Sequence, residues 1–229
     1  MMRVLIMLLL TVWLAPTLAA STPFSAVYSV SRDGLMIGET RETLEIAHHR
    51  YHLESTLTPV GVVAVFLKET FKQISSGEVG PGGFRPQQYA YQRSLKTDKD
   101  IDARFDWKTK TATFHFDGKS ESKPLPDFLQ DRLSLFYQLK YWPKGQDKLH
   151  IPMSNGKGIT EYTIVRAGEE TLKLPAGTFY TTRYVRARTP DDDGITVWVS
   201  DKLAAPVKIV IDGKKGEQTE QVLTHVTSE

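Results

Sequence analysis

The sequence predicts a mainly β protein: a strongly curved antiparallel sheet, or an open or closed β-barrel, with one capping α-helix over about residues 126–142. Three observations carry that expectation. Short runs rich in aromatic and β-branched residues recur along the chain. The dipeptides Asp33-Gly34, Asp117-Gly118, Asp193-Gly194 and Asp212-Gly213 punctuate them as hairpin signals, because such turns need positive φ at both central residues. Helical spacing of apolar residues is clear in a single segment.

Before the first strand stand Met1, Met2 and Arg3, the apolar run Val4 to Leu14, and the small residues of Pro16-Thr17-Leu18-Ala19-Ala20. A basic start, an apolar core too short to span a bilayer and a small-residue end form a cleavable secretory signal over residues 1–20. The expected location is therefore the periplasm. The sequence contains no cysteine, which excludes a cysteine-linked lipid anchor and disulfides, so the remaining 21–229 must fold by packing alone. That length suits one β-rich domain. The 29 basic and 27 acidic residues nearly cancel, which gives no reason to expect a nucleic-acid partner. After the signal no apolar run approaches the roughly 20 residues of a membrane-spanning helix. Lys96 to Lys110 and Thr181 to Arg188 carry charge or hydroxyls on both strand faces, unlike a lipid-facing barrel wall. The processed protein is expected to be soluble.

Phe24-Ala26-Tyr28-Val30 alternates with Ser25-Val27-Ser29-Ser31, so the first strand has a buried and a wetter face. Tyr51-Leu53, Thr111 to Phe116, Ile159 to Val165, Ile195 to Val199 and Val207 to Ile211 continue the pattern, for about eleven to fourteen strands. Val60 to Leu67 is almost continuously apolar. Its periodicity fits a buried strand or a short helix, and it is the expected apolar lip or lid. In Pro126 to Trp142, Asp127 and Gln130 resemble a capping box, Leu129, Leu133, Phe136 and Leu139 recur at helical spacing, and Pro143 and Gly145 close the segment.

The ordered segments Phe24 to Tyr28 with Gly34 and Gly38, Glu69-Thr70-Phe71, and Gly83-Phe84-Arg85-Pro86 leading to Tyr89 and Tyr91 resemble the exported DUF3108 family of Gram-negative bacteria. Gln130-Asp131-Arg132-Leu133-Ser134, Leu174 to Phe179, and Trp198 to Asp201 before Ala205-Pro206-Val207 are similar to the same family. The resemblance spans nearly all of the chain after the signal. It implies a β-rich periplasmic protein of unknown function, with no catalytic residues to carry over.

No nucleophile elbow, phosphate loop or dinucleotide motif is present. His48-His49-x-x-His52 offers at most a weak pair of metal donors and reads better as a strand end or turn. The triplet Asp191-Asp192-Asp193 lacks the spaced ligands of a calcium loop and reads as a turn. No metal or cofactor is expected, and no residue is assigned as catalytic. Glu39, Glu42, Glu54, Glu69, Asp131 and Glu161 are available carboxylates for an envelope-directed hydrolase of glycans or esters, should two converge.

Binding features are stronger. Tyr89, Tyr91 and Arg93 share one strand face, as do Tyr184, Arg186 and Arg188, and such aromatic and guanidinium groups suit sugars or anionic head groups. With Phe66 of the apolar run, Phe136 and Tyr137 of the helix, and Trp198, they form the candidate ligand-binding set. The reading favoured by the sequence is a non-catalytic periplasmic binding protein for lipids or lipid-linked envelope components. Its alternatives are the hydrolase and a scaffold that recruits another envelope protein.

Overall fold

A computed structural model describes residues 23–143 and 145–227; the predicted signal over residues 1–20 lies outside the described residues. Hairpins built on the expected turns open the fold. β1 (Phe24–Arg32) turns at Asp33-Gly34 into β2 (Leu35–Ala47), which turns at His48-His49 into β3 (Arg50–Pro59). The paired φ values are 50° and 80° at the first turn and 50° and 62° at the second, the doubly positive geometry of a tight hairpin. Helix α1 (Gly61–Phe66) then leads to β4 (Phe71–Gly80), β5 (Gly83–Arg93), β6 (Ile101–Asp106), β7 (Thr111–Phe116) and β8 (Lys119–Pro124). Asp117-Gly118 makes the same turn between β7 and β8, with φ of 48° and 70°.

The middle of the chain holds β9 (Gln130–Asp131) and α2 (Ser134–Gln138), continued by a 3-10 turn over Leu139–Tyr141. The second half runs through β10 (Lys148–Ser154), β11 (Ile159–Leu174), β12 (Gly177–Arg186), β13 (Gly194–Val199), β14 (Pro206–Asp212) and β15 (Gln218–Thr227). Asp193-Gly194 ends a longer connection rather than forming a two-residue turn, and Asp212-Gly213 opens the loop into β15.

The fifteen strands among the described residues form one sheet in the order 8-7-6-5-4-3-2-1-15-14-13-12-11-10-9. Neighbours are antiparallel except β9 and β10, which are parallel. Pairing of β1 with β15 joins the halves, and the hydroxyl of buried Tyr28 donates to the Pro206 carbonyl at 2.9 Å across that join. Ala26, Tyr28 and Val30 are buried, as the alternation of β1 predicts.

The sheet does not close by hydrogen bonds between its end strands, β8 and β9. Its ends meet through side chains. The Gln130 amide on β9 donates to the Phe84 carbonyl on β5 at 2.8 Å. In the turn after β10, a Cβ at Gly156 would lie 2.6 Å from Ile101 and 3.0 Å from the Tyr89 ring, so only glycine lets this turn rest on β5 and β6. Beside it, Lys157 lies 3.3 Å from Asp117 and 5.3 Å from the Phe116 ring centre.

The helix is present and shorter than its sequence pattern. Asp127 and Phe128 form a turn, with Phe128 at φ 60°, and Gln130–Asp131 are drawn into the sheet beside β10. Asp127 is therefore not the cap; it pairs with Lys110. Asp131 fastens the helix start instead, its Oδ1 accepting the backbone N–H groups of Leu133 at 2.9 Å and Ser134 at 2.7 Å. The apolar run Val60 to Leu67 resolves into α1, whose Val62, Val65 and Phe66 are exposed.

Strand β4 carries a bulge at Ser76/Gly77, where a Cβ on Gly77 would fall 2.2 Å from the Arg85 carbonyl oxygen. Backbone cannot swing aside as a side chain does. Gly77→Ala is expected to cost about 3 kcal/mol, at the upper end of overpacking penalties, read as a lower urea midpoint at constant slope.

Candidate functional site

Helix α2 lies inside the curled sheet. Leu133 and Tyr137 pack into a core cluster built mainly from β1 to β7, whereas Leu135 and Leu139 pack into a second cluster from β10 to β14. A helix that is apolar on both sides belongs inside, not on a surface.

Two cavities flank this plug. One, of about 820 Å³, is bordered by Arg132, Leu133, Leu135 and Phe136 at the start of α2, by Phe71, Tyr89 and Tyr91 of β4 and β5, and by Tyr162, Ile195, Ile209 and Ile211 of the second half. The other, of about 960 Å³, lies at the opposite ends of the strands. It is bordered by Phe84, Trp107, Phe128, Leu129, Tyr141 and Trp142. Its polar features include Gln130, whose buried Oε1 has no hydrogen-bond partner. Both volumes fall within the range of small-molecule sites, roughly 300–1,000 Å³.

The first cavity has a polar floor. Glu42 is buried and accepts hydrogen bonds from Tyr137 at 2.7 Å, Ser55 at 3.2 Å and Gln221 at 3.4 Å. Burial pushes its carboxyl up, and these three donors oppose the push. Among the described residues no cation pairs with it. Asp131 is fully buried, and burial raises its carboxyl to about 6 against the pull of its hydrogen bonds from Ser134, Ser75 and Leu133. Ser75 continues the chain to the Tyr51 hydroxyl at 2.8 Å. Each carboxylate is held by groups of the protein itself, the condition under which a buried polar network specifies packing.

The candidate side chains separate into distinct places. Tyr89, Tyr91 and Phe136 border the 820 Å³ cavity, and the Tyr89 hydroxyl donates to Gln73 at 2.9 Å. Tyr137 lies beneath, on Glu42. Tyr184 and Arg186 border a void of about 10 Å³ on the far side of Phe136. The Arg186 guanidinium sits 3.8 Å above the Tyr162 ring and is bonded to Asp192 and the Asp193 carbonyl. Arg93 is engaged by buried Glu69, and its guanidinium lies 5.4 Å from the Phe71 ring, which stacks on Tyr91. Phe66 is 85% exposed on α1. Trp198 donates to Glu170 at 2.8 Å. Phe66, Arg93 and Trp198 border neither cavity.

The candidate binding set read from the sequence omits Glu42, Phe71 and Gln73, and gives Arg132 a lining role only second to a structural one. Thr40 and Glu42 alternate with half-buried Glu39 and exposed Arg41 along β2, so the strand period alone places Glu42 on the opposite face. What period cannot tell is which face is inside. His48 and His49 occupy the β2–β3 turn, and among the described residues no group of three or more His, Cys, Asp or Glu side chains is placed to hold a metal ion. Among the described residues no helix is long and apolar enough to cross a membrane.

Comparison with known proteins supports the fold. The model of a family described as a protein of unknown function, DUF3108, matches residues 27–222. No curated protein matches significantly. A β-barrel-like protein of the domain of unknown function DUF1849 from Brucella abortus has the same fold at 9% identity, with a TM-score of 0.61 over 91% of this chain and 98% of that one. Two others are more distant. A protein provisionally named a lipoprotein from Parabacteroides distasonis ATCC 8503 gives a TM-score of 0.38 at 9% identity, over 91% of this chain and 96% of that one. One provisionally named an exported protein, from Bacteroides fragilis NCTC 9343, gives 0.35 at 13%, over 90% and 94%.

Proposed function

The chain belongs to the DUF3108 family, and we propose that it is a non-catalytic binding protein of the cell envelope that holds a lipid or lipid-linked molecule inside its curled sheet. The observation that carries this reading is the cavity of about 820 Å³, whose lining combines aromatic and aliphatic side chains such as Phe71, Phe136, Ile195 and Ile209 with a comparable share of polar and charged ones. Packed interiors leave few voids larger than a water molecule, so a space of this size beside the buried helix α2 is a feature to be accounted for. An amphiphile with one chain fits both its apolar wall and its polar floor. The basic and apolar pattern of residues 1–20 supports export, and with it a periplasmic carrier role. Buried Glu42 and Asp131 have their oxygens occupied by hydrogen bonds from neighbours, which favours a structural use of these acids over general acid or base chemistry.

The test is extraction of protein purified from its native envelope, followed by mass spectrometry, alongside titration with a fluorescent apolar probe. Co-purification of about one lipid per chain, with displacement of the probe by long-chain amphiphiles, is the expected result. Absence of both lipid and probe binding would overturn the reading. Ile211 borders the cavity and is half-buried. Ile211→Trp is expected to fill the space and weaken probe binding about tenfold or more, equivalent to at least about 1.4 kcal/mol.

A further inference from the structure

Arg132 stands apart from the other described arginines. Arg32, Arg41, Arg85, Arg93, Arg104, Arg166 and Arg186 contact carboxylates, Arg50 an amide oxygen, and Arg183 and Arg188 backbone carbonyls. Arg132 follows Asp131 in the chain, yet the Asp131 oxygens face Leu133, Ser134 and Ser75. Among the described residues it has no hydrogen bond, ion pair or ring contact. Its guanidinium is exposed, and it borders the 820 Å³ cavity at the start of α2. Burial raises the hydroxyls of Tyr89, Tyr91 and Tyr162, and the positive charge of Arg132 draws each of them back down. The cation therefore stands within electrostatic reach of β5 on one wall and β11 on the other.

The remaining charges around this cavity are largely engaged. Glu42 is hydrogen-bonded at the floor. Asp192 is paired with Arg186, and Asp193 accepts the Lys214 backbone N–H at 3.0 Å. Asp191 and the Lys214 side chain are exposed at the border. A planar guanidinium offers paired donors that match a carboxylate or phosphate, and such charge-assisted bonds are the stronger kind.

Resting on the proposed binding function, we infer that Arg132 is the anion-recognition group of the cavity, and that the ligand is an anionic amphiphile whose carboxylate or phosphate monoester head meets Arg132 while its chain lies against Phe136, Ile195 and Ile209. Neutral lipids of equal length then bind more weakly.

Equilibrium titrations of palmitate, hexadecyl phosphate and hexadecanol into the wild-type protein and Arg132→Gln test this, with acetate and inorganic phosphate as free-anion controls. Wild type is expected to prefer at least one anionic amphiphile over hexadecanol by tenfold or more, and Arg132→Gln to lose that preference while keeping its hexadecanol affinity. Which anion is preferred separates a carboxylate head from a phosphate head. Binding of acetate or inorganic phosphate as tight as that of the amphiphiles would overturn the amphiphile and leave a free-anion site. Equal preference in wild type and variant would overturn the role of Arg132 while the binding function stands. Failure of all three amphiphiles to bind would overturn both. An unchanged urea midpoint for Arg132→Gln, expected for a side chain without partners, separates these outcomes from misfolding.

Discussion

Replacement of Asp131 by alanine is expected to destabilise the protein by about 4 kcal/mol, because it strands two buried backbone donors and takes one partner from a third buried group. The backbone N–H groups of Leu133 and Ser134 lose their acceptor, and the Ser75 hydroxyl is left with Tyr51 alone. Asp131→Asn keeps an oxygen for the backbone pair and should cost much less. It also removes a titration. Burial raises the Asp131 carboxyl to about 6 in the folded state, above the roughly 3.9 of an unfolded aspartate. The folded state thus binds the proton more tightly, and the associated stability is fully present below about pH 4 and is lost as pH rises through about 6. Glu42 is raised for the same reason and acts with the same sign. Exposed Asp106, held low first by the Thr109 backbone N–H, and Asp117, held low first by Lys99, act oppositely, their contribution being lost on acidification below the ordinary carboxylate range. Urea midpoints should therefore rise between pH 7.5 and pH 5 in wild type and rise less in Asp131→Asn. A wild-type midpoint that falls steadily over that interval would contradict the assignment.

Tyr137→Ala should be comparably damaging, at about 3–5 kcal/mol on the scale of large-to-small core changes. The ring packs edge-on against Phe84 at 6.0 Å, and its hydroxyl is the nearest donor to Glu42. Removing both leaves a void in the helical plug and an acid with weaker support. Tyr137→Phe isolates the hydroxyl and should cost about 1–2 kcal/mol, within the range for an unsatisfied buried acceptor. A double-mutant cycle with Glu42→Gln, followed by urea unfolding, should show a coupling of at least about 0.5 kcal/mol, as groups in direct contact do. Additivity would mean that the ring, not the hydrogen bond, holds α2 in place.

Three of the candidate side chains, Tyr89, Tyr91 and Phe136, border the 820 Å³ cavity beside α2, and their grouping is legible for a local reason. Tyr89 and Tyr91 occupy alternate positions on β5, and strand period alone puts them on one face. Phe136 was visible as part of an apolar helical stripe. Arg93 was grouped with the tyrosines by the same period, but Glu69 engages it, and that contact depends on a strand connection rather than on β5 itself. In the sequence, Asp131-Arg132 reads first as an ion pair or as a fastening of the helix to nearby backbone, and only second as part of a site lining. The pair does not form, since Asp131 is turned toward the backbone of the helix it starts.

By itself the sequence determined the β class, the hairpin turns at Asp33-Gly34 and Asp117-Gly118, and the alternation of β1, because turn geometry and side-chain period depend on a few consecutive residues. The tertiary structure alone decided the shortened helix, the open seam and the charge left free beside the cavity. Phe128 at positive φ and the pairing of Gln130–Asp131 with β10 override a capping pattern that looked sufficient locally. The seam and the cavity arise where Gly156 meets Tyr89 and where β15 returns to β1, contacts between residues far apart in the chain. Their energies depend on packing that no run of adjacent residues encodes.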